Sequence, residues 1–569
     1  MFTSQALSAD ITKAKIKQSY LSNIAHHEIN LHYLMIVVAL YLVATANVSF
    51  FAQVLSIYPI RSDIGFIISI TGLLSGLMWL VLQLLCYRPM AKPLLITMLM
   101  IAAICGYFTD AYGTIFDRSM LINGLQTDQQ EAMGLMSLSF FIRVLILGVI
   151  PAVIIAKIRI KRTPPLRRAL WQRAVALFLS VVLMAVCLLP FGDQYATFFR
   201  QHKMVRSYVN PITSIYSVVK LSSDYVDALR RPDTLLLHAT DAKRSAASSK
   251  AAKPKLMVFV VGETARADHF GLNGYVRNTT PLLAKQDNLY SFKQAASCGT
   301  STAYSVPCMF SYANRDSFEV EHADYNENVL DTLYKQGVNV VWRDNNSSSK
   351  GVADRVTFED FKTSTTNPNC DSECRDIGML DDFDKLVKPD APTKDSNKAS
   401  PKARDTLILL HQMGNHGPAY FKRYPEAFEE FKPVCMTNEL SKCDNQSVIN
   451  GYDNAIRYTD YFLHNVIDTL KAYEQDYDVV MVYISDHGES LGENNIYLHG
   501  LPYAIAPDSQ KQVPVIIWSP ASNNIDKNSL LKVINQPVSH DFITPTLLNF
   551  FNITTDEVAG APTFFKTAP

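Results

Sequence analysis

Between two cysteines ten positions apart the chain reads Cys298-Gly299-Thr300-Ser301-Thr302-Ala303-Tyr304-Ser305-Val306-Pro307-Cys308, a run of small residues and hydroxyls. Bridged, the two cysteines close a small, stiff loop that holds a hydroxyl at a fixed place. Such a hydroxyl is a weak nucleophile until a base or a metal helps remove its proton. The loop itself contains neither His nor Lys, so help must come from elsewhere in the chain. The plainer alternative is a disulfide-stapled surface loop.

Partners for that hydroxyl stand at the ends of short, mostly β-branched apolar runs. These runs, 256–261, 338–342, 406–410, 479–484 and 513–518, alternate with helical segments. That is the pattern of an α/β domain with a largely parallel sheet covered on both faces. The first is followed by Gly262-Glu263-Thr264, then Arg266 and Asp268-His269, and the second by Arg343-Asp344-Asn345-Asn346-Ser347, with Lys350 beyond. The third leads into His411 and Asn415-His416-Gly417-Pro418. The fourth leads into Ser485-Asp486-His487-Gly488-Glu489, with His499 twelve positions after His487. Ligands of open α/β sheets collect at the carboxyl ends of the strands. A carboxylate, an Asp-His pair and a hydroxyl are therefore expected to converge there on one divalent ion. Singly these pieces are weak, since Asp-His-Gly is more often a turn.

A chain of 569 residues implies two or more domains. The balanced formal charge of +0 gives no bulk attraction to nucleic acid, and no such partner is expected. Residues 1–200 are largely apolar, with runs at about 33–55, 64–87, 93–108, 134–157 and 172–192. Each is near or above the length that crosses a bilayer as a helix, and the third is the shortest. No cleavable signal peptide is expected, because the first long apolar run begins only near residue 33. The tail with Lys13, Lys15 and Lys17, the turn with Arg88 and Lys92, and residues 157–173 are basic. A cytoplasmic N-terminus follows from the positive-inside tendency, and five crossings put the polar half outside. The cysteines agree. Cys86, Cys105 and Cys187 sit singly in apolar runs, whereas Cys298/Cys308, Cys370/Cys374 and Cys435/Cys443 form close pairs in the polar half. Local pairs point to disulfides and an oxidising compartment; a zinc knuckle competes, with unequal spacing and no His placed to complete it. The expected organisation is a five-helix transmembrane domain (1–193), interfacial bridging helices (194–238), a flexible linker (239–254) and the catalytic α/β domain (255–569), with 386–404 as an insertion loop.

The Gly262-Glu263-Thr264, Cys298-to-Cys308, Asn415-His416-Gly417-Pro418, Ser485-Asp486-His487-Gly488-Glu489 and Tyr497-Leu498-His499-Gly500 motifs resemble the phosphoethanolamine transferases of Gram-negative inner membranes. This is the EptA type, which includes the mobile colistin-resistance enzymes. The resemblance extends over nearly the whole chain. It implies an alkaline-phosphatase/sulfatase-like catalytic domain facing the periplasm, with Thr302 as the nucleophile that accepts phosphoethanolamine. Glu263, Asp486, His487 and the Thr302 oxygen would bind one zinc tightly, with further zinc allowed. His416 and His499 would hold substrate phosphate or a second metal, and Ser347 and Lys350 match a phosphate-contacting stretch. A His ligand also favours zinc over magnesium. The implied donor is phosphatidylethanolamine and the implied acceptor a phosphate of lipid A in lipopolysaccharide. The product lowers the negative charge that polymyxins and other cationic peptides bind, and the enzyme is expected to act as a monomer. Two departures stand: Cys370 and Cys374 are only four apart, and 386–404 has no counterpart in the family.

The outward segment 117–132 carries Asn123, Thr127 and Glu131 four apart, a spacing that makes one polar ridge on a helix. A solvated face explains that spacing. The resemblance adds that a similar ridge contacts the ethanolamine phosphate. The alternatives to lipid A transfer are another acceptor, such as a lipopolysaccharide core sugar or a periplasmic glucan, and a metal-dependent hydrolase with water as acceptor.

Overall fold

The computed structural model describes residues 28–127, 129–202, 204–228, 234–245, 253–388 and 404–567. The side chains of residues 129–131, Glu131 included, and nearly all of the 386–404 insertion lie outside the described part. The chain forms two compact units, Met1–Phe116 with Met136–Val219, and Asp117–Leu135 with Lys220–Pro569.

The helices of the first unit follow the apolar runs. Helices α1 (Leu31–Ala46) and α2 (Val48–Ile57) are long and apolar enough for a span only when taken together, and they are bent by 65° against each other. The bend falls at Asn47, whose side chain bonds the backbone of Asn210 at 2.9 Å in each direction and also donates to the Leu42 carbonyl of α1 at 3.0 Å. Helices α3 (Ile60–Leu85) and α4 (Arg88–Tyr112) follow. Next come α5 (Arg118–Gln126) and α6 (Gln129–Leu135), which belong to the second unit, and then α7 (Leu138–Lys157) and α8 (Leu166–Gln201). Among the described residues four helices are long and apolar enough to cross a membrane, and the bent pair makes up to five. The third run is not short: α4 has 25 residues, because Pro93 is accommodated in its first turns and the polar Thr109 and Asp110 continue it. Inside this unit Asp110 accepts from Arg143 at 2.5 Å and from the Ser49 amide at 2.9 Å, pairing charges that an apolar surround would otherwise penalise.

The second unit is built on one eight-stranded sheet. Its strands are β1 (Lys255–Gly262), β2 (Leu289–Ala296), β3 (Asn339–Asp344), β4 (Thr357–Asp360), β5 (Thr406–His411), β6 (Asp478–Ser485), β7 (Gln512–Trp518) and β8 (Val538–Ser539). The order is β8-β2-β7-β6-β1-β5-β3-β4. From β6 to β4 neighbours are parallel; β7 runs antiparallel to both β6 and β2. All five expected strands are present. Along β1, Met257, Phe259 and Val261 enter one core while Leu256, Val258 and Val260 enter the other, so both faces are buried and the run is continuously apolar. The strands β2, β4 and β8 escaped sequence reading because each is mixed in polarity or only two residues long.

Three boundaries move. The helical segment α8 runs on to Gln201, past the expected domain edge at 193, through a 3-10 turn at Leu189–Phe191. Lys243–Arg244, within the segment expected as flexible linker, is a strand antiparallel to Ile553–Thr554. Residues 117–135 group with the catalytic unit rather than with the apolar helices.

Candidate active site

Strand register brings the site together. Gly262 at the end of β1 is paired with Ser485 at the end of β6, so the next residues, Glu263 and Asp486, emerge side by side. A Cβ on Gly262 would stand 2.6 Å from the Tyr483 ring, so only glycine permits this approach. Across β1, Val261 is opposite His411, and Gly414 (φ 50°) folds its loop back until a Cβ there would lie 2.9 Å from the Glu263 carbonyl.

Thr302 is the first residue of the helix Thr302–Met309 (α9), and Cys298–Cys308 is a disulfide that closes the loop around it. Inside that loop, Ser305 Oγ donates to the Asp486 carbonyl at 2.5 Å. Thr300 Oγ1 donates to the Leu501 carbonyl at 2.6 Å. His540 joins two elements: Nδ1 accepts from the Cys298 amide and Nε2 donates to the Ser485 carbonyl, both at 3.0 Å. That double use requires a neutral ring, and burial pushes its pKa down to about 3.

Thr302 Oγ1 donates to Glu263 Oε2 at 3.1 Å and lies 3.3 Å from His487 Nε2. His487 Nε2 is in turn 3.3 Å from Asp486 Oδ2 and 3.6 Å from Glu263 Oε1. Glu263, Asp486 and His487 are buried, and one ligand atom from each falls within 4.8 Å of the others. These are the expected ligands, and their chemistry fits a cation. His487 Nδ1 donates to the Gly488 carbonyl at 2.9 Å, which turns the Nε2 lone pair toward the two carboxylates. Asp486 Oδ2 is fully buried and accepts no hydrogen bond among the described residues. Burial and the Glu263 carboxylate together push the Asp486 pKa up to about 7. Two buried carboxylates facing a lone pair are costly unless a positive charge lies among them.

His499 and His416 border this group, with ring centroids 4.3 Å between His487 and His499 and 5.7 Å between His499 and His416. Lys350 Nζ donates to Ser347 Oγ at 2.7 Å and to the Gln126 carbonyl of α5 at 3.3 Å, so the expected phosphate-contacting stretch meets the expected ridge. The ridge itself is not one helix. Thr127 ends α5 in an extended conformation, its hydroxyl donating to the Asn123 carbonyl at 2.9 Å, and Glu131 belongs to α6. His411 does not join the site; it pairs with Asp344 Oδ2 at 2.9 Å beneath Trp342.

All three expected cysteine pairs are disulfides: Cys298–Cys308, Cys370–Cys374 despite its short loop, and Cys435–Cys443. That rules out the zinc knuckle. Only the first encloses Thr302; Cys435 and Cys443 are bridged as expected, away from the Glu263, Asp486 and His487 group. Cys443 is half-buried, and its amide donates to the Leu440 carbonyl at 3.1 Å. The next residue, Asp444, caps the long helix Asn445–Lys471 by accepting from the Ser447 amide at 2.9 Å. The Cys435 amide donates to the Ser447 carbonyl at 3.1 Å. The Cys435–Cys443 bridge therefore fastens the entry to that helix, a structural task. Cysteine spacing shows which thiols can pair and leaves open where the closed loop is placed.

Sequence reading passed over two residues here. Asn346 Nδ2 donates to Glu263 Oε2 at 2.8 Å. Glu489, buried beside His499 Nδ1 at 3.3 Å, has its pKa pushed up to about 8 by burial. Both belong to strand-end motifs, but neither carries a charge pattern that separates it from a turn residue.

A family model described as sulfatase matches residues 255–553, and one described as phosphoethanolamine transferase EptA/EptB matches residues 74–226. The chain is 49% identical over 547 residues to phosphatidylethanolamine transferase Mcr-2 of Escherichia coli, covering 95% of this chain and 98% of that one. It is 35% identical over 548 residues to phosphoethanolamine transferase EptA of Escherichia coli strain K12, with 95% and 97% covered. The solved integral membrane EptA of Neisseria meningitidis superposes with a TM-score of 0.85 at 33% identity, over 93% of this chain and 97% of that one.

Proposed function

This chain belongs to the phosphoethanolamine transferase family of the EptA and Mcr type, and we propose that it moves phosphoethanolamine from phosphatidylethanolamine to a phosphate of lipid A. The observation that carries the reading is the Thr302 hydroxyl, held 3.1 Å from Glu263 and 3.3 Å from His487 at the head of α9. Thr302 Oγ1 attacks the donor phosphorus, the bond from phosphorus to the diacylglycerol oxygen breaks, and a phosphoethanolamine-threonine remains. One proton leaves Oγ1 and one is gained by the departing diacylglycerol oxygen. An oxygen of the acceptor phosphate then attacks the same phosphorus. The bond to Oγ1 breaks, and Thr302 recovers a proton.

Glu263, Asp486 and His487 would hold zinc, which when bound stabilises negative charge on the nucleophile near neutral pH. His416 and His499, which border the ligand group, would contact the phosphoryl oxygens and carry the protons. Lys350 and Ser347 contact the donor phosphate, with Asn123, Thr127 and Glu131 on the ethanolamine side. The apolar helices anchor the enzyme in the inner membrane, the N-terminus cytoplasmic and the catalytic unit periplasmic, and the protein works as a monomer. The added amine lowers the negative charge available to cationic peptides such as polymyxins.

Full-length enzyme incubated with head-group-labelled phosphatidylethanolamine and lipid A tests this. Labelled lipid A is expected; label released only as free phosphoethanolamine would make the enzyme a hydrolase, and label on a core sugar or glucan would change the acceptor. Orientation is tested by alkylation of the unreduced, denatured chain. Three reactive thiols, Cys86, Cys105 and Cys187, are expected among the nine cysteines, and nine would place the polar half in the cytosol.

A further inference from the structure

A cavity of about 490 Å³ opens beside Asn346, Ser347 and His416, a volume typical of ligand sites. Its wall is cationic. Lys362 donates from Nζ to the Ser347 carbonyl at 3.0 Å and lies 3.7 Å from the Asp360 carboxylate, and the exposed Lys422 pairs with no carboxylate among the described residues. Arg423 spends Nε on the His416 carbonyl at 2.6 Å and Nη1 on Glu373, which leaves Nη2 beyond those two bonds. Glu373 is the acid in the lining, and Arg423 already engages it. The wall is also fixed: Glu373 lies inside the Cys370–Cys374 disulfide loop, and the Cys374 carbonyl accepts from Asn345 Nδ2 at 3.0 Å. Lys350 is not part of this lining. It reaches Ser347 from the α5 side, so two cationic groups flank one phosphate-contacting serine.

We propose that this cavity is the subsite for the acceptor's phosphomonoester, with Lys362, Lys422 and Arg423 as its cations. The inference rests on the two-step transfer through Thr302. Two in-line displacements at one phosphorus share the approach opposite Thr302, so the group that leaves first vacates the side from which the acceptor enters. The first leaving group departs as a neutral diacylglycerol once its oxygen has taken a proton, and as a product it needs no fixed cation. The second reactant is a phosphate anion that must be brought against an already anionic phosphodiester. Fixed cations at the entry wall offset that repulsion, and they act chiefly on the second half-reaction.

The experiment uses the full chain in detergent micelles, head-group-labelled phosphatidylethanolamine as donor and bisphosphorylated lipid A as acceptor. Two quantities are read: diacylglycerol released in a single turnover without acceptor, and transfer as a function of lipid A concentration. Lys422 is exposed, so Lys422→Ala folds normally. A lost charge-assisted contact should raise the lipid A concentration for half-maximal transfer about tenfold. Lys422→Glu should raise it further, Lys422→Arg should restore it, and diacylglycerol release should change much less than transfer in all three. Unchanged lipid A dependence in both the Ala and Glu variants would overturn the subsite while leaving the donor step standing. An equal loss of diacylglycerol release would assign the cavity to the donor and also overturn it. If wild-type enzyme releases no diacylglycerol, the two-step reading itself falls.

Discussion

Asn346 Nδ2 donates to both Glu263 Oε2 and the Gln412 carbonyl, each at 2.8 Å, and so ties the end of β3 to a carboxylate at the end of β1. Both protons of the amide are committed, which fixes the carboxylate that faces Thr302. Asn346→Ala should therefore lower metal affinity and turnover by roughly 10- to 100-fold, the usual effect of removing a group that orients a ligand. Metal content after dialysis and transfer rate check it together; full occupancy at full activity would show that Glu263 is held by other contacts.

Thr302→Ala should remove transfer altogether while folding and metal content stay near normal. Thr300 has a different task, since its hydroxyl holds the Leu501 carbonyl and its own carbonyl accepts from the Gly500 amide at 2.7 Å, next to His499. Thr300→Ala should cost about 1 kcal/mol of stability, a typical hydrogen-bond loss, and reduce transfer only partly. Mass spectrometry of enzyme trapped with donor should find the phosphoethanolamine adduct on Thr302 in wild type and Thr300→Ala alone.

Asp486→Asn keeps shape but removes a carboxylate from the buried cluster. The expected outcome is loss of bound zinc and of activity together. Chelation of the wild type should likewise lower its melting temperature, because a ligand bound only to the folded state stabilises it. A metal-free enzyme with full transfer activity would end the metal assignment.

Acid stability should depend on His540. Its folded pKa is near 3 against an ordinary value of 6.5, so the unfolded chain takes up the proton first. Its contribution to stability is complete above about pH 6.5 and is lost as pH falls from there toward 3. Replacing it by Gln should flatten the slope of stability against pH in that window, measured by denaturant unfolding in chelator. An unchanged slope would mean that other groups set the acid response.

The α5–α6 segment should matter to chemistry and not only to anchoring, since Asp117–Leu135 groups with the catalytic unit. Glu131→Ala is expected to reduce transfer at least tenfold with zinc unchanged, the loss of one charge-assisted contact to the ethanolamine ammonium. A fragment 234–569, which lacks that segment, should bind zinc and transfer poorly. Normal lipid A modification in cells by Glu131→Ala would reduce the segment to a connector.

The sequence by itself determined the spans, the strands and the ligand types. Long apolar runs admit little but membrane helices, and a strand buried on both faces must read as β1 and β6 do. Glu263, Asp486 and His487 were legible because each directly follows such a strand. Tertiary structure alone decided what lies beside them. Asn346 and His540 reach the site through pairings across 83 and 242 residues, set by strand order and loop course rather than by any local pattern. The same holds for the disulfides: the pairing of Cys435 with Cys443 was legible from spacing, and its place at the entry to a long helix was not. Tertiary structure likewise divided the expected ridge at Thr127 between two helices and moved it into the catalytic unit. Periodicity records which face of a helix is polar, while helix ends and inter-element contacts depend on neighbours that a local window does not contain.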